Sequence, residues 1–189
     1  MNSLFDGQQT DEIVLHVIEP HPMTHTLALV KVVILTVLFF MMLMAISLGI
    51  PIVAGIFRTL GLIVGVSVAA IGVWWTNTIF RKDKTYLTDR RIIRFETVSP
   101  FFQAKRSLFW KEVLKVKAYT PNLMSRLFKI GNIDIAPQLA ETESIHITHA
   151  YYFEDLANYI DKILFIVQNN PSEIQSIKPF VAKPKGQRE

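Results

Sequence analysis

The sequence predicts an α+β membrane protein: a two-helix transmembrane hairpin followed by an antiparallel β-rich module that closes with a C-terminal helix. Three observations carry this. Two apolar stretches, residues 27–50 and 59–79, lie nearly back to back with Arg58 the charged residue between them. Each has the roughly 20 apolar residues that an α-helix needs to cross a hydrocarbon core of about 30 Å. Beyond them the hydrophobic pattern changes to short apolar and β-branched runs separated by polar breaks, the mark of strands. Last, Leu156, Ile160, Ile163 and Val167 recur at helical spacing, with Asp155, Asn158, Asp161 and Lys162 off that face.

Residues 1–26 are read as a cytoplasmic N-terminal segment carrying Asp6, Asp11, Glu12 and Glu19 and no Lys or Arg. The first apolar stretch is too long for the core of a signal peptide, and no small-residue cleavage site follows it, so it is expected to be retained. Residues 27–80 are then a transmembrane helical hairpin. Arg81, Lys82, Lys84, Arg90 and Arg91 follow the second span, whereas the connection between spans offers Arg58. Cationic loops resist translocation, which places both termini in the cytoplasm. Lys31, about one turn inside the first helix, can snorkel to that face, and Trp74 and Trp75 fall near the interface that indole rings favour. Gly61, Gly65 and Ala69 recur every four residues, stacking small side chains on one face that lets another helix approach closely. The first span of the same chain is the favoured partner, with homo-oligomerisation as the alternative.

Residues 81–168 form the module. Runs at 85–88 and 91–96 flank Asp89-Arg90 and predict a hairpin. Runs at 104–110 and 113–119 follow, separated by Lys111-Glu112, with shorter strands at 133–135 and 144–148 punctuated by Gly131-Asn132 and Pro137. Charge is polarised: residues 81–129 hold 13 basic side chains against four acidic ones, and residues 130–170 hold six acids against Lys162. Residues 169–189 carry three prolines, three lysines and an arginine and predict a disordered basic tail, within which Ile177, Phe180 and Val181 form an apolar island suited to docking. The absence of cysteine excludes disulfides, thiolate metal sites and lipidation on cysteine.

The segment Thr85-Tyr86-Leu87-Thr88-Asp89-Arg90-Arg91-Ile92-Ile93 resembles the signature hairpin of bacterial pleckstrin-homology (PH)-like domains of the membrane-flanked type. Trp110-Lys111-Glu112-Val113 is similar to a strand start in that family, and LMSRLFKIGNIDI at 123–135 to its turn into a glycine-led strand. Glu12-Ile13-Val14-Leu15 and Glu19-Pro20-His21-Pro22 look like the short segment before the paired spans. The resemblance implies a strongly bent antiparallel sheet of about seven strands, capped at one end by the C-terminal helix. It also implies the plasma (inner) membrane of a prokaryote. It imports no activity, since fold is not function, and Asp89 in the hairpin turn departs from a common phosphoinositide-binding pattern.

Anionic lipid surfaces attract basic residues by about 1 kcal/mol each, within a Debye length of about 8 Å. Lys82, Lys84, Arg90, Arg91, Lys105 and Arg106, close to the membrane exit, are therefore candidates for a headgroup-facing surface, with an ordinary solvated face as the competing reading. Phe101 and Phe102, after Ser99-Pro100, either meet the interface or a partner helix, or are buried in the sheet; Trp110 reads as core. No phosphate-cradling loop, dinucleotide fingerprint or serine elbow occurs. His21 with His25 and His146 with His149 have spacings found in metal sites but lack the helix face and acids that would complete one. No residue is assigned as catalytic and no metal or cofactor is expected. The function expected is a non-catalytic integral membrane adaptor, its PH-like module binding a membrane-protein or peptide partner at a sheet edge or barrel end. The alternative is a sensor of anionic lipid headgroups. The bilayer is a partner in both, a homo-oligomer is allowed, and nucleic acid is not expected.

Overall fold

The two apolar stretches form α1 (Pro22–Gly49, 28 residues) and α2 (Ala54–Lys82, 29 residues), each about 42–44 Å long at 1.5 Å per residue. The computed structural model describes residues 5–49, 54–139 and 141–182, so residues 50–53, within the connection between spans, lie outside the described residues. Pro22 opens α1 earlier than the start at residue 27 read from hydropathy, because a proline at the first helical position gives up a donor that has no helical partner anyway. The helices are antiparallel neighbours. A Cβ on Gly61 would touch Leu43, one on Gly65 would touch Phe40, and one on Gly72 would lie 2.6 Å from Val32 Cγ1. The expected small-residue face thus packs against α1 within the chain, with Ala69 half-buried on it. Its tightest point, Gly72, falls outside the four-residue spacing. His25 Nε2 lies 2.6 Å from Asn77 Oδ1, and its ring rests on Phe80.

Thr36, Ser67 and Thr78 hydroxyls donate to carbonyls one turn back, leaving few free polar groups along the pair. Val33, Leu35, Leu38, Met41, Leu62, Val66 and Ile71 all point outward and are exposed. A helix of a soluble core would bury such residues. Both helices are long and apolar enough to cross a membrane.

The chain divides into two compact units: one of Pro22–Lys82 with Val98–Phe102, the other of Met1–His21, Asp83–Thr97 and Gln103–Glu189. The second unit holds seven strands among the described residues. A four-stranded antiparallel sheet runs in the order β1 (Val14–Ile18), β2 (Lys84–Thr88), β3 (Arg91–Ser99), β4 (Phe102–Phe109), the last residues of β3 and the first of β4 being counted with the helical unit. A three-stranded sheet runs β5 (Val113–Tyr119), β6 (Ile130–Pro137), β7 (Ile145–Tyr151). A short helix α3 (Leu123–Leu127) joins β5 to β6, and α4 (Phe153–Asn169) follows β7.

The core gathers alternate strand residues from both sheets. Ile18, Leu87, Ile92 and Leu108 come from the first, and Val113, Ile133, Ile135, Ile145 and Ile147 from the second; Leu156, Ile160 and Ile163 of α4 complete it. Trp110, in a 3-10 turn rather than at the end of a strand, is fully buried and donates from Nε1 to Thr88 O at 2.8 Å. Gly131 sits inside β6 opposite Ala150, not in a turn. It is glycine because a Cβ there would strike the Phe153 ring, where α4 begins.

Two sequence expectations need correction. Residues 1–26 are not a separate segment: Val14–Ile18 enters the first sheet by pairing Ile18 with Thr85, Val17 with Tyr86 and His16 with Leu87. The tail read as disordered from residue 169 forms a 3-10 turn at Pro171–Ser176, and Ile177 and Phe180 pack against the core. The Phe180 ring lies 4.9 Å from His16 and 5.5 Å from Tyr159. Ile177 and Phe180, though not the exposed Val181, therefore cover part of their own module, because burying two large side chains offsets the entropy of ordering the few residues that carry them. Residues 183–189 of the expected tail lie outside the described residues.

The β1–β2 register brings the two ends of the helical insertion side by side, since antiparallel partners stand about 5 Å apart. Replacing Pro22–Lys82 by a short Gly/Ser linker should therefore yield a soluble protein with the amide dispersion of a folded sheet. Removing residues 5–18 as well should abolish that dispersion; a folded product without β1 would contradict the topology.

Candidate functional site

The six cations read as a headgroup surface all have partners within the chain. Arg91 is the deepest engaged: Nε donates to Glu12 Oε1 at 2.9 Å, and Nη2 donates to Glu12 Oε2 at 2.8 Å and to Gly7 O at 3.0 Å. Arg90 Nη1 donates to Gln9 Oε1 at 2.6 Å. Lys84 pairs with Glu19 at 2.7 Å, and Arg106 with Glu143 at 3.1 Å and Glu96 at 3.5 Å. Lys105 donates to Asp6 O at 2.7 Å and lies over the Phe95 ring, and Lys82 donates to Pro100 O at 2.9 Å. Four of the six face carboxylates, Arg90 with Asp89 at 3.8 Å among them, so much of the positive charge that the sequence displays is neutralised nearby.

These contacts have a common cause in the segment before β1. Residues 5–13 lie across the β2–β3 turn. Ile13 and Asp89 exchange two hydrogen bonds, from Ile13 N to Asp89 Oδ1 and from Asp89 N to Ile13 O, each 3.0 Å. Thr88 Oγ1 donates to Glu12 Oε1 at 2.9 Å and accepts from Arg91 N at 3.0 Å. Phe5 fills a small second core with Ile93, Phe95 and Tyr86. The Thr88-Asp89-Arg90-Arg91 turn is thus held by the N-terminal segment on one side and by Trp110 on the other.

The Arg91 guanidinium beside buried Glu12 holds its carboxyl down to about 2, against desolvation that works the other way. The pair, in turn, raises Arg91. A second buried ion pair joins Arg94 Nη2 to Asp83 Oδ1 at 2.9 Å, with Arg94 Nη1 donating to Thr85 Oγ1 at 3.1 Å. Here burial prevails and pushes Asp83 up despite the arginine, while burial lowers the neighbouring His149.

The histidine pairs do not converge. His146 Nδ1 contacts Asp134 Oδ1 at 2.7 Å and its Nε2 contacts Ser144, while His149 sits at a left-handed φ of 58° with its amide donating to Asn132. His21 stacks on Tyr151 and His25 on Phe80. Phe101 and Phe102, for which burial was one reading, are instead 72% and 74% exposed.

The concave feature of the strand unit that the sequence reading missed lies where α3 meets the start of α4. A cavity of about 390 Å³ is lined by Leu123, Arg126, Leu127, Lys129, Tyr152, Phe153 and Glu154. Leu123 and Leu127 are 83% and 74% exposed. Two non-glycine residues with left-handed backbone shape it, Lys129 at φ 55° and Tyr152 at φ 47°, a conformation that persists when surrounding contacts over-determine it. Tyr152 N donates to Lys129 O at 3.0 Å, and Lys129 Nζ stands 4.8 Å above the Tyr152 ring. Apolar side chains four residues apart, two cations and an aromatic face can take a short amphipathic segment that carries a carboxylate. Leu123 with Leu127 at helical spacing was a readable signal; that Tyr152 and Glu154 come alongside was not.

The Glu12 carboxyl gives a pH prediction. Its pKa is depressed from the usual 4.5 to about 2, so its stabilisation is complete above about pH 5 and disappears as pH falls through 4.5 towards 2, roughly 3 kcal/mol in all. Glu12→Gln should cost about 3 kcal/mol at pH 7 and flatten the loss of stability between pH 5 and 2, measured by denaturant unfolding. An unchanged acid profile would show that the pair does not hold the segment. No family model, no curated protein and no solved structure matches the chain.

Proposed function

We propose that this protein is a non-catalytic integral membrane adaptor, in which a PH-like module, interrupted after its first strand by a transmembrane helical hairpin, presents a partner site at the cytoplasmic membrane surface. Among the described residues seven strands form two antiparallel sheets, of four and three, followed by a C-terminal helix, rather than one continuous sheet; the strand number and the helix after them support the PH-like reading. The outward apolar faces of α1 and α2 support the membrane reading, and the cations after α2 support cytoplasmic termini.

One observation carries the adaptor reading: Leu123 and Leu127 are exposed beside Arg126 and Lys129 around the cavity at the start of α4. Exposed leucines flanking a recess lined by two cations and one acid are costly to keep in water and cheap to cover with a protein segment. The anionic-lipid sensor is the weaker reading, because Lys84, Arg91 and Arg106 already face carboxylates of the same chain. A tethered module also needs no lipid affinity to reach the membrane, and it meets partners there at a raised effective concentration.

A photoreactive side chain at Leu127, in the full chain in its native membranes, should capture a discrete protein partner. Lys129→Glu should reduce that product about tenfold, the size expected of a central interface residue, while leaving thermal unfolding unchanged. The same products from Lys117 on β5, insensitive to Lys129→Glu, would contradict the site. Salt-sensitive, composition-dependent lipid adducts in place of protein would favour the headgroup reading.

A further inference from the structure

The β3–β4 turn and the strand ends beside it carry three large apolar side chains left largely exposed among the described residues: Val98, Phe101 and Phe102 are 72%, 72% and 74% exposed. No charged residue occurs between Glu96 and Lys105. The turn belongs to the helical unit. The Phe101 ring stands 6.0 Å from that of Trp74 and 6.3 Å, edge-on, from that of Trp75, and Lys82 Nζ donates to Pro100 O at 2.9 Å. It therefore lies along the C-terminal turns of α2, a stretch of about 12 Å between Trp74 and Lys82.

We propose that this turn is inserted in the bilayer interface, with Val98, Phe101 and Phe102 among the lipid carbonyls and upper acyl chains of the leaflet in which α2 ends. The proposal rests on the reading that α1 and α2 span a bilayer. If they do, Arg81 and Lys82 sit at headgroup level, and Trp74 and Trp75 lie at the depth indole rings prefer. Phe101, in ring contact with both, shares their depth. A Phe101 in water would drag two tryptophans of an apolar helix into water with it.

The polar groups of the turn are prepared for that environment, where an unpaired amide or carbonyl is expensive. Pro100 has no N–H to satisfy. Its carbonyl accepts from Lys82, whose ammonium reaches back from the headgroup end, and Phe102 N donates to Ser99 Oγ at 3.2 Å. The side chains that remain exposed are apolar. Lipid is favoured over a protein partner as the cover because the exposed patch is continuous, through Trp74 and Trp75, with the apolar surface of α2.

The absence of cysteine permits a direct test. Val98→Cys, Phe101→Cys and Phe102→Cys in the full chain, each labelled with an environment-sensitive fluorophore and reconstituted in phosphatidylcholine vesicles, are compared with Val66→Cys in mid α2 and Lys117→Cys on β5. The turn positions should show blue-shifted emission and lose fluorescence to lipids with a shallow spin label, Val66 to lipids with a deep one, and Lys117 to iodide alone. Iodide quenching of the turn with Val66 still quenched by lipid overturns the insertion and leaves the spanning helices standing. Iodide quenching at Val66 as well removes the spanning reading and the insertion with it. A turn shielded from both quenchers is covered by protein, a second copy or a partner, and also refutes the insertion.

Discussion

The pairing of β1 with β2 is the constraint on which the remaining architecture depends. Two long helices separate these neighbouring strands in the chain, yet Ile18 stands opposite Thr85. A flexible excursion of some 60 residues would cost roughly 3–4 kcal/mol to close. A helical hairpin that packs on itself, as Val32 against Gly72 and Leu43 against Gly61, returns its ends together and removes much of that cost. The buried Glu12–Arg91 pair then fixes the entry of the first strand. A slip of one residue there would turn Ile18 out of the core.

That constraint explains the fate of the basic half. The positive charges after α2 look like a surface for anions, but the segment before α1 brings Glu12 and Glu19 back onto Arg91 and Lys84. The same contacts leave the turn Thr88-Asp89-Arg90-Arg91 with little freedom to accept a ligand. The residues of this turn have structural work to do: Thr88 accepts from Arg91 N and donates to Glu12, and Arg91 meets the buried Glu12 carboxylate. Exposed apolar and cationic side chains lie instead beside α3, where Leu123, Arg126, Leu127 and Lys129 line a cavity.

Much of the fold was legible because its signals are local. The apolar stretches marked α1 and α2, the break at Asp89-Arg90 marked the β2–β3 hairpin, and the four apolar positions of α4 marked the face it buries. Val14–Ile18 was not read as a strand, since five residues between an acid-rich segment and a proline have no sheet character until Thr85–Thr88 supplies the partner. Gly131 read as punctuation because its reason, the Phe153 ring, lies 22 residues away in sequence. Phe101 and Phe102 posed a choice between burial and exposure that hydrophobicity alone does not decide; in the fold both are largely exposed, with Phe101 beside Trp74 and Trp75. The cations were legible as charges and illegible as pairs, because Arg91 and Glu12 are 79 residues apart.

Between β1 and β2 the chain forms two helices long and apolar enough to cross a membrane, and whether they do so is the central claim. Cysteine accessibility to a membrane-impermeant thiol reagent tests this most directly, with Gly55→Cys at the start of α2, where an added Cβ meets nothing within 4 Å, set against Lys117→Cys on β5. In intact cells the reagent should label Gly55→Cys and spare Lys117→Cys, and in inverted vesicles the pattern should reverse. Labelling of both positions from the same side would mean that the helices do not cross.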